Sequence, residues 1–192
     1  MKFILASNSE RRINYLKEFG YTFEVKKVNY SEQFFENDPI KTAIFNAYMK
    51  AYLISKDGEK LPVLGVDTVV ALDGLIFRKP KDIEENVRMI KQLLGKEHLV
   101  ISGVSCVKGN LSIIDYEITK VKFIDAIDDE MIFRYVKTKE GFDKAGGYAI
   151  QGLGSIFVNE VIGQISNVIG VPILKIEKIL KKISEVENEF IF

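Results

Sequence analysis

The sequence predicts an α/β fold built around a mixed sheet. Short apolar runs of strand length alternate with stretches whose apolar residues recur at helical spacing. In the middle of the chain two long strand-like segments follow each other directly, as a hairpin does, and a hairpin inside an α/β alternation argues against an all-parallel sheet. The length of 192 residues suits one domain, or two lobes sharing one core, and the 47% hydrophobic content is ordinary for a globular chain. No repeat, low-complexity tract or linker interrupts it.

Taken in order, Lys2-Phe3-Ile4-Leu5-Ala6 reads as a short buried strand. Ser9 is placed to cap a helix whose Ile13, Leu16 and Phe19 share a face, and Gly20 ends it. Tyr21 to Val28 reads as a second strand. Asp38-Pro39 opens a helix with Pro in its first turn and Ala43, Ala47 and Ala51 at four-residue spacing. Leu61 to Leu72 is an apolar strand interrupted by Gly65 and Asp67, and Asp73-Gly74 is a tight-turn signal. Pro80-Lys81-Asp82 starts a helix that turns Val87, Ile90 and Leu94 inward and stops at Gly95. Leu99 to Val107 and Leu111 to Phe123 form the hairpin around Lys108-Gly109-Asn110. Asp128 to Tyr135 is a short helix, residues 137–148 a glycine-rich loop, and Ser155 to Val161 another strand. Ile173, Ile176, Ile179, Leu180 and Ile183 mark a last amphipathic, lysine-rich helix.

Three segments carry chemistry and all ask for one kind of ligand. Asp143-Lys144-Ala145-Gly146-Gly147-Tyr148 with Gln151-Gly152 sets acid, base and amide beside glycines that let a backbone approach a ligand closely. Lys144 suits phosphate charge and Gln151 suits the edge of a base. Ser7, Ser9, Arg11 and Arg12 lie between the first strand and first helix, where free N–H groups and the helix dipole favour anions. Two arginines there add charge-assisted bonds to phosphate, although basic residues in a first turn oppose the dipole; the alternative is a capped helix with solvated arginines. Asp67 sits inside an apolar strand, where an unpaired carboxylate is costly, so it requires a metal, a water or a cationic partner. Lys79 can return beside it across a hairpin, as ligand group or as a structural ion-pair partner. Glu32 and Lys50, each taken alone, read as surface charges.

Several function classes fall away. Lys+Arg and Asp+Glu both number 27, so the basic excess of a nucleic-acid binder is missing. No run approaches the roughly 18–20 apolar residues of a membrane span. Phe3-Ile4-Leu5-Ala6 is too short for a signal-peptide core, and the single Cys106 excludes an intrachain disulfide, which fits a cytoplasmic location. No Gly-x-x-x-x-Gly-Lys-Ser/Thr is present, which disfavours a P-loop enzyme. One His and one Cys leave no transition-metal cluster and no Ser–His pair, and His98 reads as a structural hydrogen-bonder. Water attack assisted by carboxylates and an oxygen-ligated divalent cation remains.

Together these segments resemble the Maf family of nucleoside triphosphate pyrophosphatases. The likeness rests on Ser9-Glu10-Arg11-Arg12, Gly65-Val66-Asp67-Thr68-Val69, Lys79-Pro80, Gly95-Lys96-Glu97-His98, Ser102-Gly103-Val104 and Asp143 to Tyr148 with Gln151-Gly152, and extends to Val168-Ile169-Gly170-Val171-Pro172. The resemblance implies one domain over residues 1–192, with two lobes like those of inosine triphosphate pyrophosphatases and a cleft between them. It implies cleavage of a nucleoside triphosphate to monophosphate and pyrophosphate, with Mg²⁺ or Mn²⁺ as cofactor, in a homodimer that binds neither nucleic acid nor membrane. Asp67 is then the proton acceptor for water, and Glu32 with Asp67 holds the metal. Ser7, Arg11, Arg12, Lys50 and Lys79 hold phosphates, and Arg11, Thr68 and Gln151 match the positions tied to substrate choice. Thr68 and Gln151 resemble the branch acting on dTTP and UTP, whereas the 7-methyl-GTP branch tends toward glutamine and glutamate there. A neutral amide can both donate to and accept from a pyrimidine edge, which agrees.

The chain departs from the family pattern at Glu10 (usually proline), Arg78 (usually glycine), Leu94 (usually serine) and Gln164-Ile165-Ser166 (usually acidic and aromatic). The last departure bears on contacts to base or sugar. Two other readings stand beside the pyrimidine enzyme. One is a regulator of cell division, because the family is also described as inhibiting septum formation. The other is a house-cleaning enzyme for deaminated purine triphosphates.

Overall fold

A computed structural model describes residues 1–189, with side chains described through residue 186; residues 190–192 of the expected domain lie outside it. One seven-stranded mixed sheet organises the chain. Its strands are β1 (Phe3–Ala6), β2 (Phe23–Lys26), β3 (Val63–Leu72), β4 (Leu75–Phe77), β5 (Glu97–Lys108), β6 (Leu111–Phe123) and β7 (Val158–Ile162). The order is β2-β1-β3-β5-β6-β7, with β4 folded back on β3. β1 runs parallel to β2 and β3, and the other pairings are antiparallel. The helices are α1 (Glu10–Glu18), α2 (Pro39–Ser55), α3 (Ile83–Leu93), α4 (Asp129–Lys137), α5 (Ile165–Val168) and α6 (Ile173–Glu189).

Strand alternation sorts the core. Along β3, Leu64 and Val66 face a cluster with Phe3, Leu16, Ile176 and Ile183, so α1 and α6 cover that side. Val63, Val69 and Ala71 face α2 through Ala43 and Ala51. A third cluster gathers α3, α4 and the far ends of β3, β5 and β6 around Ile90, Leu93, Phe123 and Ile132.

The tightest packing joins α2 to the sheet. A Cβ on Gly65 of β3 would lie 2.1 Å from the Ala47 carbonyl oxygen, and one on Gly103 of β5 would lie 2.3 Å from that of Ala43. The alanine stripe on α2 and these two glycines therefore bring helix and strand backbones into direct contact. That places the rest of the inner face of α2, Asn46 and Lys50, against β3 at Asp67.

Several boundaries differ from the sequence expectation. The second strand covers only Phe23–Lys26, because Asn8 captures the chain at Val28, donating to its carbonyl at 2.9 Å and accepting from its N–H at 3.0 Å. Residues 153–157 form a 3-10 turn, so the last strand begins at Val158. The helix expected from Pro80 starts at Ile83, with Asp82 accepting from the Glu85 N–H at 2.7 Å as its cap. Within it Leu93, rather than Leu94, is fully buried. The four-residue α5 is too short to leave a periodic signal.

His98 is buried in an aromatic cluster, edge-on to Phe123 and Tyr148, and its Nε2 lies 2.9 Å from the Tyr148 hydroxyl. Burial pushes its pKa down to about 4. Two predictions follow from this packing. Gly65→Ala forces backbone atoms apart and is expected to destabilise by about 3 kcal/mol or more, read as a lower urea midpoint at unchanged slope. The unfolded chain protonates His98 near pH 6.5 and the folded chain resists until about pH 4. Its neutral burial therefore contributes fully above pH 6.5 and is lost as pH falls through that window, by roughly 3 kcal/mol in all. His98→Gln, which keeps a partner for Tyr148, should remove this component from the stability-versus-pH curve.

Candidate active site

The site lies at a gap in the sheet. β1 pairs with β3 only at Val63–Gly65, and β4 pairs with it only at Val70–Leu72. Between them, Val66–Val69 pair with β5 alone and present an open edge. β1 ends there at Ala6, the chain turns through Ser7-Asn8-Ser9 into α1, and a recess of about 700 Å³ opens along this turn.

Asp67 is held from the α2 side. Its Oδ1 accepts from the Lys50 ammonium at 2.5 Å, and its Oδ2 from the Asn46 amide at 3.4 Å. Lys50 also donates to Glu32 Oε1 at 2.7 Å, so one ammonium bridges two carboxylates. Burial drives the Asp67 pKa up and the neighbouring Glu32 charge adds to the rise, while Lys50 opposes both; the carboxyl ends above its ordinary range. For Glu32, burial also pushes upward, but Lys50 and Lys79 outweigh it and leave the carboxyl below its usual value. Asp67 titrates high because it is the more deeply buried of two acids sharing one cation.

The Ser7–Arg12 turn supplies the facing wall. Ser9 accepts from the Arg12 N–H as the cap of α1, and Ser7 Oγ accepts from the Ser9 N–H and from an Arg12 guanidinium nitrogen, both at 3.1 Å. Arg12 Nε donates to the Gly170 carbonyl at 3.0 Å, fixing a buried guanidinium against the C-terminal turn. Its burial and the adjacent Arg11 lower its pKa to about 10. Arg11 is lowered by burial too, against the pull of Asp143, and its Nε is buried without a hydrogen-bond partner among the described residues. A buried donor left unpaired is a place for a ligand oxygen.

A narrower recess joins Arg11, Arg12, Glu32, Lys50, Asp67, Thr68 and Lys79 to Asp143, Lys144 and Tyr148. The glycine-rich loop reaches it because Asn86 of α3 donates to the Gly147 carbonyl at 2.9 Å, while Tyr148 is tied to His98. Lys144 donates to the Glu140 carbonyl at 2.7 Å and pairs with Asp143. Thr68, on the sheet face opposite Asp67, shares a 2.8 Å hydrogen bond with Ser102. Gln151 lies outside this recess, in an adjoining one of about 220 Å³ that shares Arg11, Lys144 and Tyr148. Its side chain is exposed and has no hydrogen-bond partner among the described residues.

The structure thus brings together Ser7, Arg11, Arg12, Glu32, Lys50, Asp67, Thr68, Lys79 and Lys144, and sets Gln151 next door. The ion-pair partner of Asp67 is Lys50, not Lys79, which lines the same recesses as Glu32. Glu32 and Lys50 therefore line the recess, partly buried, and are not the surface charges each reads as alone. Asn46 escaped the sequence reading. Its buried carboxamide accepts from the Tyr30 hydroxyl and the Gln33 N–H and donates to the Gln33 carbonyl, holding the loop that carries Glu32. The signal was present: Thr42, Asn46 and Lys50 form a polar row at four-residue spacing beside the alanine stripe.

The profile of a family described as Maf-like protein matches residues 2–183. The chain is 47% identical over 181 residues to the dTTP/UTP pyrophosphatase of Thermosipho africanus, covering 94% of this chain and 92% of that one. It is 42% identical to the protein of the same name from Pyrococcus furiosus, covering 94% of each. Its fold is similar to that of a solved nucleoside-triphosphatase/dITP/XTP pyrophosphatase from Mycobacterium abscessus, at a TM-score of 0.50 and 12% identity over the full length of both. With a family profile and relatives this similar spanning nearly all of the sequence, the protein belongs to the Maf-like family.

Proposed function

We propose that the protein hydrolyses nucleoside triphosphates, dTTP and UTP foremost, between the α- and β-phosphates, giving the monophosphate and pyrophosphate. The observation that carries this is the buried Asp67 at the open edge of β3, oriented by Lys50 and Asn46 and faced by cations from three other segments. The names of its relatives from Thermosipho africanus and Pyrococcus furiosus support the substrate class. Asp67 accepts the proton of the attacking water, its carboxylate held in place by Lys50 and Asn46. Ser7, Arg11, Arg12, Lys50, Lys79 and Lys144 hold the phosphates, with charge-assisted hydrogen bonds that strengthen as negative charge develops.

A divalent cation, Mg²⁺ or Mn²⁺, fits the donor set. Glu32 and Asp67 present two carboxylates that already share one positive charge, and hard cations of this kind use one or two carboxylates plus substrate phosphates. Glu32 and Asp67 would hold it, and it would neutralise phosphate charge. Thr68 and Gln151 sit toward the sugar and base, with Arg11 at the junction of the two recesses. The balanced charge argues against a nucleic-acid partner, and among the described residues no helix is long and apolar enough to cross a membrane. We read the chain as one two-lobed domain, cytoplasmic and dimeric, on the strength of its family; light scattering at twice the chain mass is the expected result for the dimer.

Product analysis tests the reaction: monophosphate and pyrophosphate are expected, and a diphosphate with orthophosphate would refute it. Asp67→Asn should fold and lose roughly 10²–10⁴ in turnover. Gln151→Glu replaces a donor–acceptor amide by an acceptor-only group. It should lower kcat/KM for dTTP and UTP by about 5- to 150-fold, corresponding to about 1–3 kcal/mol, with much smaller losses for purine triphosphates. An equal loss for every base would refute base reading by Gln151.

A further inference from the structure

We propose that Lys50 is an internal counter-ion that holds the place of the divalent cation in the nucleotide-free protein, so that cation and triphosphate load together. This rests on the reading of Glu32 and Asp67 as the metal-holding carboxylates. The Lys50 ammonium lies 2.5 Å from Asp67 Oδ1 and 2.7 Å from Glu32 Oε1, bridging the pair of acids a metal ion would bridge. Magnesium requires its oxygens at about 2.0–2.1 Å, and an ammonium bound to the same two atoms would stand against it as a like charge in a poorly solvated site. The two cations cannot both hold Asp67 Oδ1 and Glu32 Oε1.

The protein alone offers the metal little else. Among the described residues no group of three or more acid, His or Cys side chains is placed to hold a metal ion. Asn46 already occupies the other oxygen of Asp67, at 3.4 Å. Two carboxylates neutralised by an ammonium form a weak metal site, and its missing ligands must arrive with the substrate. A triphosphate in the recess lined by Ser7, Arg12, Lys50 and Lys79 offers acceptor oxygens to that same ammonium. Lys50 has a flexible four-carbon stem and can transfer its three donors from carboxylate to phosphate. The transfer frees both acids as the nucleotide supplies the remaining oxygen ligands. Lys50 thereby keeps the buried acids neutralised before substrate binds and couples metal entry to nucleotide entry.

The test uses Mn²⁺ alone, titrated by electron paramagnetic resonance into the nucleotide-free full chain. Lys50→Met is expected to bind Mn²⁺ at least ten times more tightly than wild type, and the gain should vanish in Lys50→Met/Asp67→Asn. Equal or weaker binding in Lys50→Met overturns the proposal, as does a gain that survives in the double variant. Should Lys50→Met fail to fold, Lys50→Gln takes its place, and wild type is read by thermal unfolding. Mn²⁺ alone should leave the wild-type Tm unchanged, whereas Mn²⁺ with a non-hydrolysable α,β-methylene dTTP should raise it beyond the analogue alone. Full stabilisation of wild type by Mn²⁺ alone rejects the counter-ion role and leaves the metal reading standing. Absence of Mn²⁺ binding by every form, with or without the analogue, rejects both.

Discussion

The site depends on one steric constraint, the backbone contact between α2 and the sheet at Gly65 and Gly103. Neither glycine is needed for an unusual torsion, since neither is among the positive-φ residues. Both are needed because a single Cβ would fall about 2 Å from a carbonyl oxygen of the helix. With Ala43, Ala47 and Ala51 on the helical side, helix and sheet approach until Asn46 and Lys50 reach a carboxylate rooted in the sheet itself. A larger residue at any of these positions would lift α2 and separate Lys50 from Asp67. The small-residue seam is thus the means by which a core contact fixes a polar geometry.

That polar geometry carries a cost the fold must offset. A buried carboxylate without a partner would neutralise itself by taking up a proton. Asp67 has moved in that direction, and its ammonium and amide partners limit the shift. Glu32 has moved the other way, because it is less buried and feels both Lys50 and Lys79. Two acids at one site with divergent affinities for a proton suit divided roles. Asp67 holds a proton more readily than an ordinary carboxyl, and Glu32 releases one more readily.

Local signals carried the sequence reading where the answer was local. Ser9 as a cap, the helix opened by Asp38-Pro39, the hairpin around Gly109 and the isolated Asp67 all rest on rules spanning a few residues, and each element lies where those rules put it. The family resemblance identified the polar residues that converge, but the residues alone did not fix their pairings. Lys79 follows Asp67 by one hairpin and was the natural partner on sequence distance. The partner is Lys50, from a helix seventeen positions upstream, because the register of α2 on β3 is set by tertiary contact at Gly65 and Gly103. Glu32 looked superficial for the same reason: its loop has no regular structure and is held by the side chains of Asn46 and Thr42. Strand ends were misjudged where a side chain such as Asn8 captures the chain earlier than its apolar pattern ends.

Arg11 links the two halves of the candidate site. It lines the recess along the Ser7–Ser9 turn, the narrow recess beside Asp67 and the recess of Gln151, and its buried Nε lacks a partner among the described residues. Its neighbour Arg12 is anchored to Ser7 and to the Gly170 carbonyl through two of its five N–H donors, which fixes its guanidinium as a positive wall of the recess. Of two adjacent arginines, one is therefore anchored in place and the other keeps a buried, unpartnered donor. Lys144 is tethered to the Glu140 carbonyl, and Glu140 in turn accepts the N–H groups of Leu153 and Gly154. Lys144 is thus linked through Glu140 to the segment that follows Gln151. Through Arg11 and this tether, the recess beside Asp67 is physically continuous with the recess of Gln151.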